Sequence, residues 1–562
     1  MSAMLGMLCG SGSLQARDRW TELNIGPFVI DADGDIGAAR NDLTQLEQLR
    51  WVLGGLLESK DLHSVWPLRI ILTKREGISS GFQSTFVSQN PVDTSRFVFE
   101  NGQYLLVCAP DEALPLGEVA GILLDANTPR LPAEVERGMR ELFSTLQARG
   151  THVTWGAAPV HPDLAWARMQ LFATKFEYSL SFHIFLTSLR NGSTLRTAEQ
   201  NAFGKDAQTL EADAAANLAA GHWEPSSVSG RPLDAKRDFG EHSADGSVVE
   251  VYLADVQLAS DPKGAEKAYK AAVEAGVPAA ALGYAGLAEV ARREHRPDKP
   301  FLDDAMQVGS RSAPVYLQAA EGLSGDQAVE LLKKAATLNP LWAEPIYRQA
   351  QLVSPPADRE PLLRKCTELN PRRTECWVEL AHLQAVDGHG SASQGTWLRA
   401  EQSAPNEMER ARIHQLRVHS EEERLNAEEA ARRREQEAAQ ADDDRALHAE
   451  AARIHAAERQ ANRQLSDQSG TATDATAAVP WNELTAKKLQ GSITNVHCAG
   501  SSATLSIRSR GGDTTKLLLP DRSRLGLTCG VQSRPMRVSV AYSEHPDAQS
   551  GTAGEVVSLS RQ

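Results

Sequence analysis

The sequence predicts a multidomain α+β protein: an N-terminal α/β domain, an α-helical repeat solenoid, a long charged helix and a small C-terminal all-β domain. Three observations carry that expectation. Strand-length and helix-length apolar patterns alternate over residues 20–222. Two segments, LLKKAATLNP (331–340) and LLRKCTELNP (362–371), nearly repeat one another at a 31-residue offset. Residues 481–562 break into short alternating runs separated by turn residues.

The chain has 562 residues, room for about three or four domains of ~100–200 residues each. With 41% hydrophobic residues it can bury real cores, and its mean hydropathy is −0.37. No run approaches the ~18 apolar residues that would cross a bilayer. Fifty-nine basic against 73 acidic residues leave a formal charge of −14. That balance argues against nucleic acid as the main partner, because a phosphate-binding surface needs a concentrated basic face and none stands out in the sequence.

Residues 1–19 include a short apolar stretch, Met4 to Cys9, without a basic segment before it. They read either as an export-signal remnant or as an accidental likeness to one. Within 20–222, Phe28-Val29-Ile30 forms a short strand. Residues 35–57 form a helix with Leu43, Leu46, Leu49, Val52 and Leu56 at spacings of three and four. Leu68 to Leu72 is a second strand. Phe97-Val98-Phe99 and Tyr104 to Val107 flank Asn101-Gly102, a hairpin signal because both turn positions need positive φ. GEVAGILLDANTPRLPAEVERGMRELFST (117–145) reads as two helices split by a Pro-marked break, and residues 164–222 continue helically. Residues 223–261, rich in Gly, Ser and Asp, read as a connector with one strand, Val248 to Leu253.

From 262 to 406 the chain is helical and repetitive. WLRAEQSAP (397–405) places Pro405 34 residues after Pro371, and AEKAYKAAVEAGVP (265–278) is an earlier, worn copy. Residues 407–464 are rich in Ala, Glu and Arg and lack a sustained seam of Leu or Ile, which predicts a solvated helix or a loose pair. Residues 465–480 have linker composition. Five runs, GSITNVHC, ATLSIRS, TKLLLP, MRVSVAY and EVVSLS, predict a small sandwich or barrel over 481–562. Six cysteines contain no CxxC, and Cys366 and Cys376 have no His pair at ligand spacing. Cys498 and Cys529 share the terminal domain, either as a disulfide in an oxidising compartment or as two buried thiols.

The repeat period and grammar, with Trp377, Leu380, Ala381, Ala400 and Pro405 at matching positions, resemble the tetratricopeptide repeat. That resemblance implies a concave groove for a protein or peptide partner, with Tyr347, Gln351, Glu375, Val378 and His382 facing it. LGEVAGILL followed by LPAEVERGMRELFST resembles the gluzincin metallopeptidases, most closely bacterial members in which such a domain precedes tetratricopeptide repeats. There one helix carries HExxH and the next a ligand Glu. Carried over, the histidine slots fall on Gly117 and Gly121, the general-base slot on Glu118 and the ligand-Glu slot on Arg137. A catalytic zinc needs about three protein donors; glycine offers none, and a guanidinium repels the ion.

The expected outcome is therefore a pseudo-peptidase domain without metal or other cofactor, and a non-catalytic scaffold acting through its repeats. Glu118 and Arg137 are expected to pair across the empty cleft. The alternatives are a hydrolase using another site, or a protein that docks on the cell envelope through its terminal β-domain. Relatives of this architecture imply a periplasmic or envelope location.

Overall fold

The computed structural model describes residues 20–74, 96–468, 486–521, 528–546 and 551–561. The leader (1–19) and most of the expected linker (469–480) lie outside the described residues. Two compact units emerge, residues 1–435 and 436–562.

The first unit opens with β1 (Trp20–Ile25), β2 (Phe28–Asp33), α1 (Ile36–Leu56), β3 (Leu68–Leu72), β4 (Val98–Glu100) and β5 (Gln103–Cys108). Then come α2 (Leu116–Asn127), α3 (Ala133–Ser144), β6 (Gln147–Arg149), β7 (His152–Trp155) and α4 (Leu164–Thr174). Next are α5 (Phe176–Ser179), α6 (Phe182–Arg190), α7 (Leu195–Phe203), α8 (Ala207–Ala220), β8 (Ser226–Ser229), α9 (Ala235–Asp238) and β9 (Gly240–Ser243). A six-stranded sheet runs in the order β4-β5-β3-β2-β1-β9. Its centre, β2, β3 and β5, is parallel, while β1, β4 and β9 join antiparallel. The hairpin at Asn101-Gly102 has φ of 47° and 75°, as its residue types require. The parallel strands are nearly continuous apolar runs because both sheet faces are covered. One face takes Leu43, Leu46 and Leu49 of α1.

The other face is covered by α10 (Gly246–Gln257), which corrects two expectations. Val248 to Leu253 is helix, not strand. Residues 223–261 are no connector either, since β8 pairs with β7, β9 extends the main sheet, and α10 seals it. The misreading has a cause. Val249, Val251, Tyr252, Leu253, Ala254, Asp255 and Val256 are all buried, so the helix offers only Glu250 to solvent and its β-branched run mimics a strand. Beneath it Arg69 is clamped by Asp31 (2.6 Å), Glu22 (3.0 Å) and Gln103 (2.8 Å) and lies 4.4 Å from the Tyr252 ring centre. A buried guanidinium needs that complete set of acceptors.

With α10 begins an array of packed helices. It continues through α11 (Pro262–Ala275), α12 (Ala279–Arg293), α13 (Lys299–Gln307), α14 (Ala313–Ala320) and α15 (Gly325–Leu338). It ends with α16 (Ala343–Leu352), α17 (Pro356–Leu369), α18 (Thr374–Val386) and α19 (Gly390–Ser403). Each helix packs on its successor, and the expected repeat segments are the second helices α11, α15, α17 and α19. The array therefore starts at 246 rather than 262. Its inter-pair turns dock on the sheet domain. Asn339 Nδ2 donates to Val65 O (2.9 Å) and Trp342 stands edge-on to Trp66. Arg372 donates to Thr128 O (3.0 Å) and Thr128 Oγ1 (3.1 Å) and pairs with Asp125 and with Glu136 (2.8 Å). Arg130 Nε donates to Ser403 O (3.2 Å).

The long helix α20 (Glu407–Gln468) is not wholly solvated at its start. Ile413 is fully buried beside Trp397 and Ala400, and Arg417 pairs with Glu401 (2.6 Å). From Glu435 to Arg463 every described residue is exposed, as the composition predicts. In the second unit β10 (Lys487–Ala499), β11 (Ser502–Ser509), β12 (Thr514–Leu519), β13 (Gly530–Ser543) and β14 (Glu555–Arg561) close a barrel in the order β10-β11-β12-β14-β13. All five runs read from the sequence are strands. The one parallel pairing, β12 with β14, makes the connection a Greek key rather than a simple meander.

Where the hairpin β4-β5 meets the array, Asp255 accepts from Tyr269 Oη (2.7 Å) and Asn101 Nδ2 (2.8 Å). Burial pushes its pKa up to about 8, and burial pushes that of Glu100, despite its partner Arg293, up to about 7. A carboxyl raised by folding stabilises fully below its unfolded pKa of ~4, and that contribution is lost as pH climbs through the folded value. The urea midpoint of the protein should therefore fall between about pH 5 and pH 8.5, and Asp255→Asn should flatten the fall. A wild-type midpoint constant over that window would contradict this.

Candidate functional site

The four positions expected to be vestigial lie on α2 and α3, but they do not form a cleft closed by an ion pair. Glu118 Oε2 accepts from the backbone N of Arg96 (2.9 Å). Arg137 is well exposed and pairs with Asp163 (3.1 Å), the residue that caps α4. The Glu118–Arg137 pair expected from the sequence is replaced by this α3–α4 contact. The glycines have a packing role. A Cβ on Gly117 would stand 2.8 Å from Arg140 O, and one on Gly121 would lie 3.0–3.3 Å from the Arg140 side chain. A Cβ on Gly138 would meet Ala165 O at 2.4 Å and Met169 Cγ at 2.6 Å. Small residues thus let α2, α3 and α4 approach at backbone distance, and Arg140 lies over the face that a side chain at 121 would enter. Among the described residues no group of three or more His, Cys, Asp or Glu is placed to hold a metal ion. His152, His161 and His183 are exposed on separate elements.

The five groove positions divide. Tyr347 is buried: its Oη donates to Glu379 (2.6 Å) and the Arg373 guanidinium covers its ring at 4.4 Å. Burial and that carboxylate push its pKa up to about 12. It is an inter-helix packing residue and not part of an open groove. Val378 is half-buried against the cluster of Trp397 and Ile413, so α20 covers part of the face it was expected to offer. Gln351, Glu375 and His382 are exposed. His382 stands edge-on to Trp397, 4.8 Å between ring centres, and burial lowers its pKa from the ordinary imidazole value, which favours the neutral ring.

Two clefts adjoin the array. One, of about 1080 Å³, lies between α18, α19 and residues 417–431 of α20, lined by His382, Trp397, Arg364, Arg417 and Arg424 with several glutamates. Sequence reasoning missed the contribution of α20 here; Ile413 followed by Leu416 was the available signal. The other, about 910 Å³, separates the strand-start turns at Pro27, Trp66-Pro67 and Gly102 from the starts of α12 and α14. Tyr252 and Leu282 line it, and the exposed Arg311 stands at its rim side of α14. Both are open enough for an extended peptide segment.

Two disulfides staple the chain. Cys498 and Cys529 are bonded, deciding between the two readings of that pair. Cys366 and Cys376 are bonded as well, which the sequence reading did not anticipate. They sit on α17 and α18, and the helix–turn–helix grammar between them was the signal that facing positions would meet. The turn they clamp carries Arg372.

No family model and no curated protein matches this chain. Among solved structures it is similar to YrrB, described as a TPR protein with an unusual peptide-binding site, at 15% identity and a TM-score of 0.24 over 30% of this chain and 92% of that one. It is also similar to the MamA protein (15%, TM-score 0.23, 28% and 91%) and to yeast Tom70 (14%, TM-score 0.27, 56% and 70%). No helix among the described residues is long and apolar enough to cross a membrane.

The glycine contacts give a graded expectation. Gly138→Ala should cost about 1–3 kcal/mol, because backbone must shift to admit the methyl. Gly121→Ala should stay within about 1 kcal/mol of the parent, since only a flexible Arg140 must move and helix propensity improves by ~1 kcal/mol. Urea titration of both variants checks this; equal losses would refute the close-approach reading.

Proposed function

We propose that this protein is a non-catalytic adaptor that holds a polypeptide partner on tetratricopeptide-like helix pairs. The observation that carries the reading is the one-sidedness of the array. Its inter-pair turns are consumed by docking on the α/β layer, while Gln351, Glu375 and His382 stay exposed, and His382 lines a cleft of about 1080 Å³. A helix-pair surface of this kind suits an extended or helical peptide. The α/β layer serves as a buttress. Its likeness to a gluzincin domain rests on the motif alignment at Gly117, Glu118, Gly121 and Arg137, and the close packing at the glycines fits a site with no side-chain donors. A location in the periplasm or cell envelope is part of the proposal, supported by two disulfides, which persist in oxidising compartments.

The test pairs binding with turnover. Full-length protein on a peptide array should retain a subset of sequences, and the double variant Gln351→Ala, His382→Ala should bind them about ten-fold more weakly, ~1.4 kcal/mol. The same protein should leave casein and labelled peptides uncut, with or without zinc. Chelator-sensitive cleavage would favour the hydrolase alternative, and unchanged peptide binding in the double variant would remove this groove.

A further inference from the structure

The C-terminal barrel has a charge pattern opposite to that of the whole chain. Although the protein carries 73 acidic residues, β10, β11, β12 and β13 contain no Asp or Glu at all. The described carboxylates of this unit's barrel, Asp513, Asp521, Glu544 and Glu555, lie in turns or at the start of β14. The cations of those strands are not scattered. Register places Ser492 opposite Arg508 on one side and Arg537 on the other, with Thr514 next to Arg508. Residues directly opposite share a face. Arg508 and Arg537 are exposed while their neighbours Ile507 and Val538 are fully buried, so that face is the outside of the barrel. Two residues along, Lys516 pairs in register with Ser506, and Lys488 lies on the same face of β10 as Ser492. Among the described residues, the side chains of Lys488, Arg508, Lys516 and Arg537 make no ion pair or hydrogen bond, whereas Lys487, on the opposite side of β10, pairs with Glu544 (2.6 Å). The concentrated basic face that the net charge seemed to exclude is created by strand register.

We propose that this face docks a linear acidic polysaccharide. Arg508 and Arg537 stand two strand spacings apart, about 10 Å, a pitch suited to charges that recur along a carbohydrate chain rather than to a single anion. Between and beside them are hydroxyls, Ser492, Ser506, Thr504, Thr514 and Ser539, able to bond sugar hydroxyls. The outward positions of β10–β12 and of β13 at 537 and 539 carry one ring, the imidazole of His497 opposite Thr504, and no row of aromatics on which successive bases would stack. They carry no large apolar wedge beyond Leu518 to enter a bilayer. Charge complementarity with hydroxyl lining therefore favours an acidic glycan over single-stranded nucleic acid or an anionic membrane.

Polygalacturonate is the probe, with dextran as the neutral control and full-length protein throughout. Binding to polygalacturonate should weaken steeply with salt and be absent for dextran. Arg508→Ser with Arg537→Ser should weaken it about ten-fold or more, while Arg445→Ser on α20 should not. Mass mapping of the Cys498–Cys529 bond and a melting curve check that the variant is folded, and Lys516→Glu provides a second, single-site reduction. Failure of the wild type to bind, unchanged binding in both barrel variants, or equal or tighter binding of poly(dT) or phosphatidylglycerol vesicles would overturn the proposal.

Discussion

One arginine joins the two halves of the first unit. Arg372 follows the second Asn-Pro turn of the array, and its side chain is only 8% exposed. It reaches the C-terminal carbonyl of α2 at Thr128, the Asp125 carboxylate one turn earlier, and Glu136 on α3. A cation at a helix C-terminus meets both the free carbonyl and the negative end of the dipole. Asp125 is 66% exposed, so loss of Arg372 should cost about 1–3 kcal/mol, mainly through the Thr128 carbonyl and Glu136 left without their donor. The Cys366–Cys376 bond clamps the turn that carries it, so covalent and electrostatic constraints act on the same few residues.

That joint explains why the array is one-sided. Asn339 repeats the arrangement one pair earlier, and Ser403 closes it one pair later through Arg130. Three consecutive inter-pair turns are thereby used on the α/β layer, which leaves the helix faces as the free surface. The joint also bears on α2 and α3, the helices of segment 117–145. Their rims hold Arg372 while their interior is closed by Gly117 and Gly138 at backbone contact with Arg140 and Ala165, and by Gly121 against the Arg140 side chain.

Much of the architecture was legible because it follows from period and turn chemistry. The Leu spacing of α1, the Asn101-Gly102 hairpin, the duplicated Asn-Pro segments and the alternating terminal strands each state their local structure directly. What was hidden depends on tertiary contacts. Helix α10 reads as strand because it is buried almost all round. Strands β8 and β9 are four residues each and exposed in part, so their pairing partners are invisible in sequence. Of the five residues expected to face a groove, Gln351, Glu375 and His382 are exposed. Tyr347 failed because its partners Glu379 and Arg373 lie in the next pair, and Val378 because α20 folds back on α18. The basic row on the barrel is absent from any local window, since its members are brought together only by register.

The central claim is that the α/β layer and the helix pairs are one cooperative body held at the turns. Urea unfolding of Arg372→Ala, followed by hydrogen exchange of the amides in β3 and in α16, tests it most directly. The account predicts that both segments lose protection together and that the midpoint falls in a single transition. Exchange that rises in α16 while β3 keeps its full protection, or a variant as stable as the parent, would contradict it.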